Sequence, residues 1–228
     1  MPIPQDKFVF FSPHAYVALG APYNGDSPWL LRSGVLEALL EAQKSLASQR
    51  PGWKIMVFDG YRPNAVQEFM VMREFRIQAE AANFDPDHLT ESQQEQLAEK
   101  VYRLFGIPSE NPATPPPHST GAAVDCTLAD ESGKEVDMGS PIDENSDRSN
   151  PNHFAEAEDA AGKKAHQNRI LLHDIMQANG FLRHHAEWWH FSTGDQYWAW
   201  TQRQQDPASQ IAAHYGRADF LKKPAKAS

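Results

Sequence analysis

At 228 residues, with 40% hydrophobic and 22% charged content, the chain has the make-up of an ordinary globular protein and can bury a substantial core. A formal net charge of −9 and a pI near 5.5 argue against a nucleic-acid or anionic-membrane partner, which would need a basic surface. No basic stretch leads into an apolar run near the start, no window holds the roughly 18 apolar residues of a membrane span, and the single Cys126 cannot form an intrachain disulfide. A soluble, cytoplasmic protein is therefore expected.

In chain order, residues 1–27 are rich in Pro, Gly and Tyr and predict an irregular or short-stranded entry. From Trp29 to Ala47, Leu31, Val35, Leu39, Ala42 and Leu46 fall at the spacing of one buried helix face. Pro51-Gly52 breaks the chain, "WKIMVF" (53–58) predicts a buried strand, and "DGYRP" a turn. Asn64 with Gln67 suggests a capped helix to about Gln78, and Thr90 with Gln93 another to about Phe105. The prolines of 106–117 remove donors and fix φ, so that segment reads as a loop leading to His118. "AAVDCTL" (122–128) predicts a strand, with a turn and short return strand behind it, and 141–160 a long loop. A helix from Asn168 to Asn179 ends at Gly180, and the aromatic stretch that follows predicts a final strand before a frayed tail at 221–228. Helices and strands mix without a βαβ rhythm. The expected class is α+β, a mainly antiparallel central sheet flanked by helices, in one domain over 1–228.

Three distant segments hold the unusual polar residues: "DGYRP" with Asp59, Tyr61 and Arg62, "HSTGAAVD" with His118 and Asp125, and "EWWH" with Glu187 and His190. Two histidines and a carboxylate make a catalytic zinc set that leaves one position open for water, and a glutamate outside the set can shuttle the proton. Glu187 and His190 are three apart, so an extended chain would send them to opposite faces, and they need a bend to converge. The separation of His118 from Asp125 is also odd, and Gly121 could supply the turn between them. Either pair alone arises readily by chance among ten histidines and thirty acids. Arg62, at the end of a buried strand, either pairs with Asp59 or a surface acid, or lends two donors to an oxygen that becomes negative during reaction. Trp188 and Trp189 read as packing, Cys126 as a small buried hydrophobe, and His184 and His185 as exposed or hydrogen-bonded.

Taken together, "DGYRP", "PPHSTGAAVD" and "EWWHFSTGDQYW" resemble the D-alanyl-D-alanine dipeptidase family, zinc enzymes that include the vancomycin-resistance dipeptidases. The likeness runs from about Tyr16 to Trp198 and rests on the pattern S-x-H-x-x-G-x-A-x-D, followed some sixty residues later by E-W-W-H. His118, Gly121, Ala123 and Asp125 match the first motif. The resemblance implies one Zn²⁺ per chain held by His118, Asp125 and His190, with Glu187 as general base and then acid. It also implies Arg62 on the scissile carbonyl oxygen. "DMGSPID" matches the segment whose last acid holds the substrate's free amino group, here Asp143, and Tyr16 falls in a segment like the family's N-terminal substrate-side strand. Pro116 replaces the motif's serine, "GAPYNGDSP" differs from the usual 20–28 stretch, and His184 and His185 stand where less basic residues are usual.

The expected activity is hydrolysis of D-Ala-D-Ala or a similar short D-configured dipeptide, with the Pro-rich and 141–153 loops closing a small pocket. A zinc D,D-carboxypeptidase or endopeptidase acting on longer peptidoglycan stems is the nearer alternative. A non-catalytic zinc-binding interaction module is the more distant one, and it would need neither Glu187 nor Arg62.

Overall fold

A computed structural model describes residues 1–218. The tail expected to fray, 221–228, lies outside the described residues. Five strands form one sheet in the order β1-β2-β3-β5-β4. They are β1 (Val9–Phe10), β2 (Lys54–Asp59), β3 (Ala123–Ala129), β4 (Leu182–Arg183) and β5 (His190–Ser192). Only the β1–β2 pair is parallel. All seven residues of β3 are buried, as suits a central strand that is apolar but for Asp125 and Thr127. Among the described residues six helices accompany this mainly antiparallel sheet, and the architecture is α+β.

Helix α2 (Ser33–Gln49) turns Val35, Leu39, Ala42 and Leu46 inward, each fully buried, and packs on β2 and on α5 (Ala160–Ala178). Burying each of its large apolar side chains contributes roughly 1.5–3 kcal/mol, which outweighs the weak intrinsic helix preference of its valine and serines. Helices α3 (Asn64–Ala81) and α4 (Glu91–Tyr102) pack on each other.

Several boundaries differ from the sequence reading. The Thr90–Gln93 capping box is present and opens α4, which ends at Tyr102. Asn64 caps nothing: Pro63 holds the N-cap of α3, and the Asn64 side chain serves Ser109 and Glu110 in the Pro-rich loop. Helix α5 starts eight residues before Asn168, capped by Asp159, whose side chain accepts from Gly162. The return strand after β3 is a single bridge between Ala129 and Glu135. Tyr16 lies in a short helix, α1 (Ala15–Ala18), rather than a strand. The aromatic stretch is not one strand but β5, a turn at Gly194 and a last helix, α6 (Gln196–Gln205), capped by Asp195.

Candidate active site

Strand register builds the centre of the site. Asp125 on β3 is paired with His190 on β5 and, across β2, with Asp59. Directly opposed residues share a face, so three polar side chains form one row across three adjacent strands. Asp125 Oδ1 lies 3.0 Å from His190 Nδ1.

His118 comes from a 3₁₀ turn, Pro117–Thr120, that enters β3 from the Pro-rich loop. Pro117 suits the first helical position, where its missing N–H costs nothing. Gly121 closes the turn at φ +70°, a left-handed conformation that glycine adopts freely, and so supplies the bend between His118 and Asp125. The turn is tied to the "DGYRP" segment by Ser119 Oγ donating to the Arg62 carbonyl (2.8 Å) and the Arg62 N–H donating to the His118 carbonyl (3.3 Å). His118 Nδ1 sits 2.7 Å from the Gly60 carbonyl oxygen. A carbonyl only accepts, so Nδ1 carries the proton and Nε2 is left with its lone pair. That Nε2 lies 3.1 Å from His190 Nδ1 and 3.1 Å from Asp125 Oδ2.

The donor set fits a metal ion. Ligand atoms of buried His118, Asp125 and His190 all lie within 4.8 Å of one another, and the tautomer of His118 is already fixed for coordination. Burial alone would raise the Asp125 carboxyl, but His118 and His190 beside it hold it well below the usual carboxylate range.

Between β4 and β5 the chain bends, and this brings Glu187 to the same side as His190. Glu187 Oε2 is 3.8 Å from His190 Nδ1, and Oε1 is 3.3 Å from His184 Nδ1. Burial, reinforced by the negative charges of Asp125 and Asp143, pushes its carboxyl up to about 8 despite His190. His184 is half-buried and pushed down to about 3 by burial and by His190 and His185, while His185 is exposed against Tyr197. The bend is held by its tryptophans. Trp188 and Trp189 pack edge to face at 5.3 Å, each 1% exposed. Trp188 donates from its backbone to Ser149 O and from Nε1 to Ser140 Oγ, and Trp189 O accepts from Cys126.

Arg62 is buried and fully engaged. Nε donates to Asp59 Oδ2 (2.7 Å), Nη1 to Gln67 Oε1 (2.9 Å), and Nη2 to Tyr16 Oη (3.1 Å) and Asp125 Oδ2 (3.2 Å). The pairing with Asp59 is made, and the far end of the guanidinium reaches the cluster through Asp125. Tyr16 donates onward to Asp143 Oδ2 (2.5 Å). Asp143 has φ +65°, which an aspartate tolerates better than most residues. Burial and the Asp125 charge raise its carboxyl to about 6 against the opposing pull of Arg62. Arg62, His118, Asp125, Asp143, Glu187 and His190 all line one cleft of about 400 Å³, closed on one side by residues 102–106 and on another by Pro116 and Pro117.

Arg62, His118, Asp125, Asp143, Glu187 and His190 thus arrive at this cleft and Tyr16 directly behind it, whereas Asp59 and Tyr61 do not line it. Three further residues support the site. Gln67 looked like a capping partner but braces Arg62. His14 Nε2 lies 3.1 Å from Asp59 Oδ1 and so supports the acid that holds Arg62. His184, expected to be exposed or hydrogen-bonded, accepts from the Ala186 N–H (3.4 Å) and lies 3.3 Å from Glu187 Oε1. The one available signal was an acid, Asp59, ending a buried strand, since a buried charge needs partners from somewhere.

A family model for D-Ala-D-Ala dipeptidases matches residues 11–210. The D-alanyl-D-alanine dipeptidase of Synechocystis sp. is 47% identical over 224 residues, covering 96% of this chain and 91% of that one. Those of Escherichia coli and Enterococcus faecium are 30% and 33% identical, covering 68% and 70% of this chain and 63% and 71% of theirs. A crystal structure of the vancomycin-resistance D,D-pentapeptidase VanY (a point mutant, in complex with Zn(II)) overlays with a TM-score of 0.45 at 14% identity, over 90% of this chain and 89% of that one. That is too distant to bear on the chemistry. On the length and identity of the sequence matches, the chain belongs to the D-Ala-D-Ala dipeptidase family.

Proposed function

We propose that this chain is a single-domain, zinc-dependent dipeptidase that hydrolyses D-Ala-D-Ala or a similarly short D-configured dipeptide. The observation that carries the reading is the convergence of His118, Asp125 and His190 within 4.8 Å, with the Glu187 carboxylate standing beside that set but outside it. His118 through Nε2, Asp125 through its carboxylate and His190 through Nδ1 would hold one ion, and two imidazoles with one carboxylate is a donor set that suits zinc. When bound, such an ion polarises a carbonyl and acidifies water.

The chain's own residues supply the rest. Glu187 takes the proton of the attacking water on its carboxylate and returns it to the leaving nitrogen. The Arg62 guanidinium meets the carbonyl oxygen as negative charge develops, and Asp59 and Gln67 hold it still. Asp143, with Tyr16 behind it, receives the substrate's ammonium group. The loops around the cleft limit the length of peptide that can enter. A free dipeptide substrate fits a cytoplasmic protein, and no helix among the described residues is long and apolar enough to cross a membrane.

The test is alanine release by metal-analysed protein from D-Ala-D-Ala, with L-Ala-L-Ala and a D-Ala-D-Ala-terminated pentapeptide alongside. Release from the D,D-dipeptide alone is expected. Cleavage of the pentapeptide would replace this reading with the carboxypeptidase one.

A further inference from the structure

Arg32 occupies the N-cap of α2 but makes no capping bond with its side chain. The guanidinium reaches instead to the turn that carries His118. Its Nε donates to Thr120 O (2.8 Å), while its own backbone N–H donates to Gly121 O (2.8 Å). One residue therefore holds two of the three carbonyls that follow His118. The third, Ser119 O, accepts the N–H of Ala218 (2.8 Å).

Ala218 ends a strap, residues 214–218, that joins several parts of the site. Arg32 Nη2 donates to Gly216 O (3.0 Å), and its guanidinium carbon lies 5.7 Å from the centre of the Tyr215 ring. At the other end, Gly194 O accepts the N–H groups of His214 (2.7 Å) and Tyr215 (3.0 Å). Gly194 sits in the turn just after β5, the strand that begins with His190. The Tyr215 side chain lies so close to α2 that a Cβ on Gly34 would meet its hydroxyl at 2.7 Å. The strap lies beyond residues 11–210, the span shared with the family model.

We propose that Arg32 and the Tyr215-anchored strap are positioning elements that hold the His118 turn in place against the β5 strand. Zinc affinity would then depend on a segment that acts only through the backbone of the ligand-bearing turns. The inference rests on His118 and His190 being metal ligands. A rigid turn matters because coordination tolerates only small displacements of its ligand atoms, and supporting contacts around a metal site commonly change affinity by about 10–100-fold when lost.

The test is the zinc Kd of full-length chains, measured by competition with a chromophoric chelator at a temperature where circular dichroism shows each one folded. Arg32→Ala removes the side-chain bonds to Thr120 and Gly216. Gly34→Leu displaces the Tyr215 hydroxyl while improving the intrinsic helix propensity of α2. Gln43→Ala is the comparison: it loses buried bonds to Ile55 N–H (2.7 Å) and Trp53 O (3.1 Å), on α2 but away from the ligand turn, and should lower Tm without changing the zinc Kd. Arg32→Ala and Gly34→Leu are each expected to weaken zinc binding by roughly tenfold. Wild-type affinity in both variants, or equal weakening in Gln43→Ala, overturns the proposal while leaving the metal site intact. Weakening in Arg32→Ala alone removes the strap from it. A wild-type chain that binds no zinc overturns this inference and the metal reading together.

Discussion

Asp125 and His190 are joined twice, by strand register between β3 and β5 and by a 3.0 Å approach of Asp125 Oδ1 to His190 Nδ1. Because side chains alternate along a strand, a slip of one residue would send His190 to the opposite face of the sheet. Metal binding and correct pairing of these two strands are thus one condition. His190→Ala should lose both bound zinc and turnover. Glu187→Ala should keep stoichiometric zinc by metal analysis while its kcat falls about 10²–10⁴-fold. Loss of zinc in the Glu187 variant would place that carboxylate among the ligands.

Among the described residues, fully buried Asp59 pairs with His14 and with Arg62, and of the two only the guanidinium stays charged across the ordinary pH range. Arg62→Lys cannot reproduce a planar fork spread over Asp59, Gln67, Tyr16 and Asp125, and kcat should fall about 10²–10³-fold. Arg62→Ala should in addition destabilise the fold by roughly 3–5 kcal/mol, since it strands a buried charge. Denaturant unfolding measures the second effect separately from the kinetics.

The Asp143 carboxyl is faced by Tyr16 from α1, by Asp59 at the end of β2 and Arg62 just after it, by Asp125 from β3, and by the Glu187 carboxyl. Burial and the neighbouring acids raise it to about 6. An ammonium group binds only its ionised form, so KM for the dipeptide should rise as pH falls through that region, and Asp143→Asn should flatten this limb. The linkage has the opposite sign. A carboxyl raised in the folded state binds its proton more tightly there than in the unfolded chain, so this group adds stability as pH falls from about 7 towards about 4. The asparagine variant should lose that gain in urea melts across the same range.

Two imidazole nitrogens and a carboxylate crowded around one point are relieved by a cation. Adding zinc at about 100 times Kd to metal-stripped protein should therefore stabilise it by roughly 2.7 kcal/mol, and a chelator should reverse the shift. A thermal midpoint that ignores zinc would show that the cluster does not hold it.

The sheet was legible because β2 and β3 are short apolar runs between turn formers, and α2 because its apolar residues keep one face. That His118, Asp125 and His190 come together was legible because they sit in motifs that resemble those of a known family. What stayed hidden was set by tertiary packing. Helix α5 begins early because Asp159 caps it, in a stretch that composition marks as loop. The aromatic run divides because Gly194 turns the chain at φ +78° and Asp195 then caps α6. The pairing of Arg62 with Asp59 was legible, but its bonds to Gln67 and Tyr16 were not, because each of those comes from a helix and neither sits in a pattern that marks it as a partner.

The hydroxyl of Tyr16 touches Arg62 on one side and Asp143 on the other, at 3.1 and 2.5 Å. It is a spacer between the group proposed to hold the scissile carbonyl and the group proposed to hold the free amine. Because Arg62 is pinned by its other acceptors, that gap cannot stretch to suit the substrate. On those proposed roles the cleft would work as a gauge one α-amino acid long. A dipeptide that opens with a β-amino acid carries one extra methylene across the gap and presents its carbonyl out of step with the water and the base.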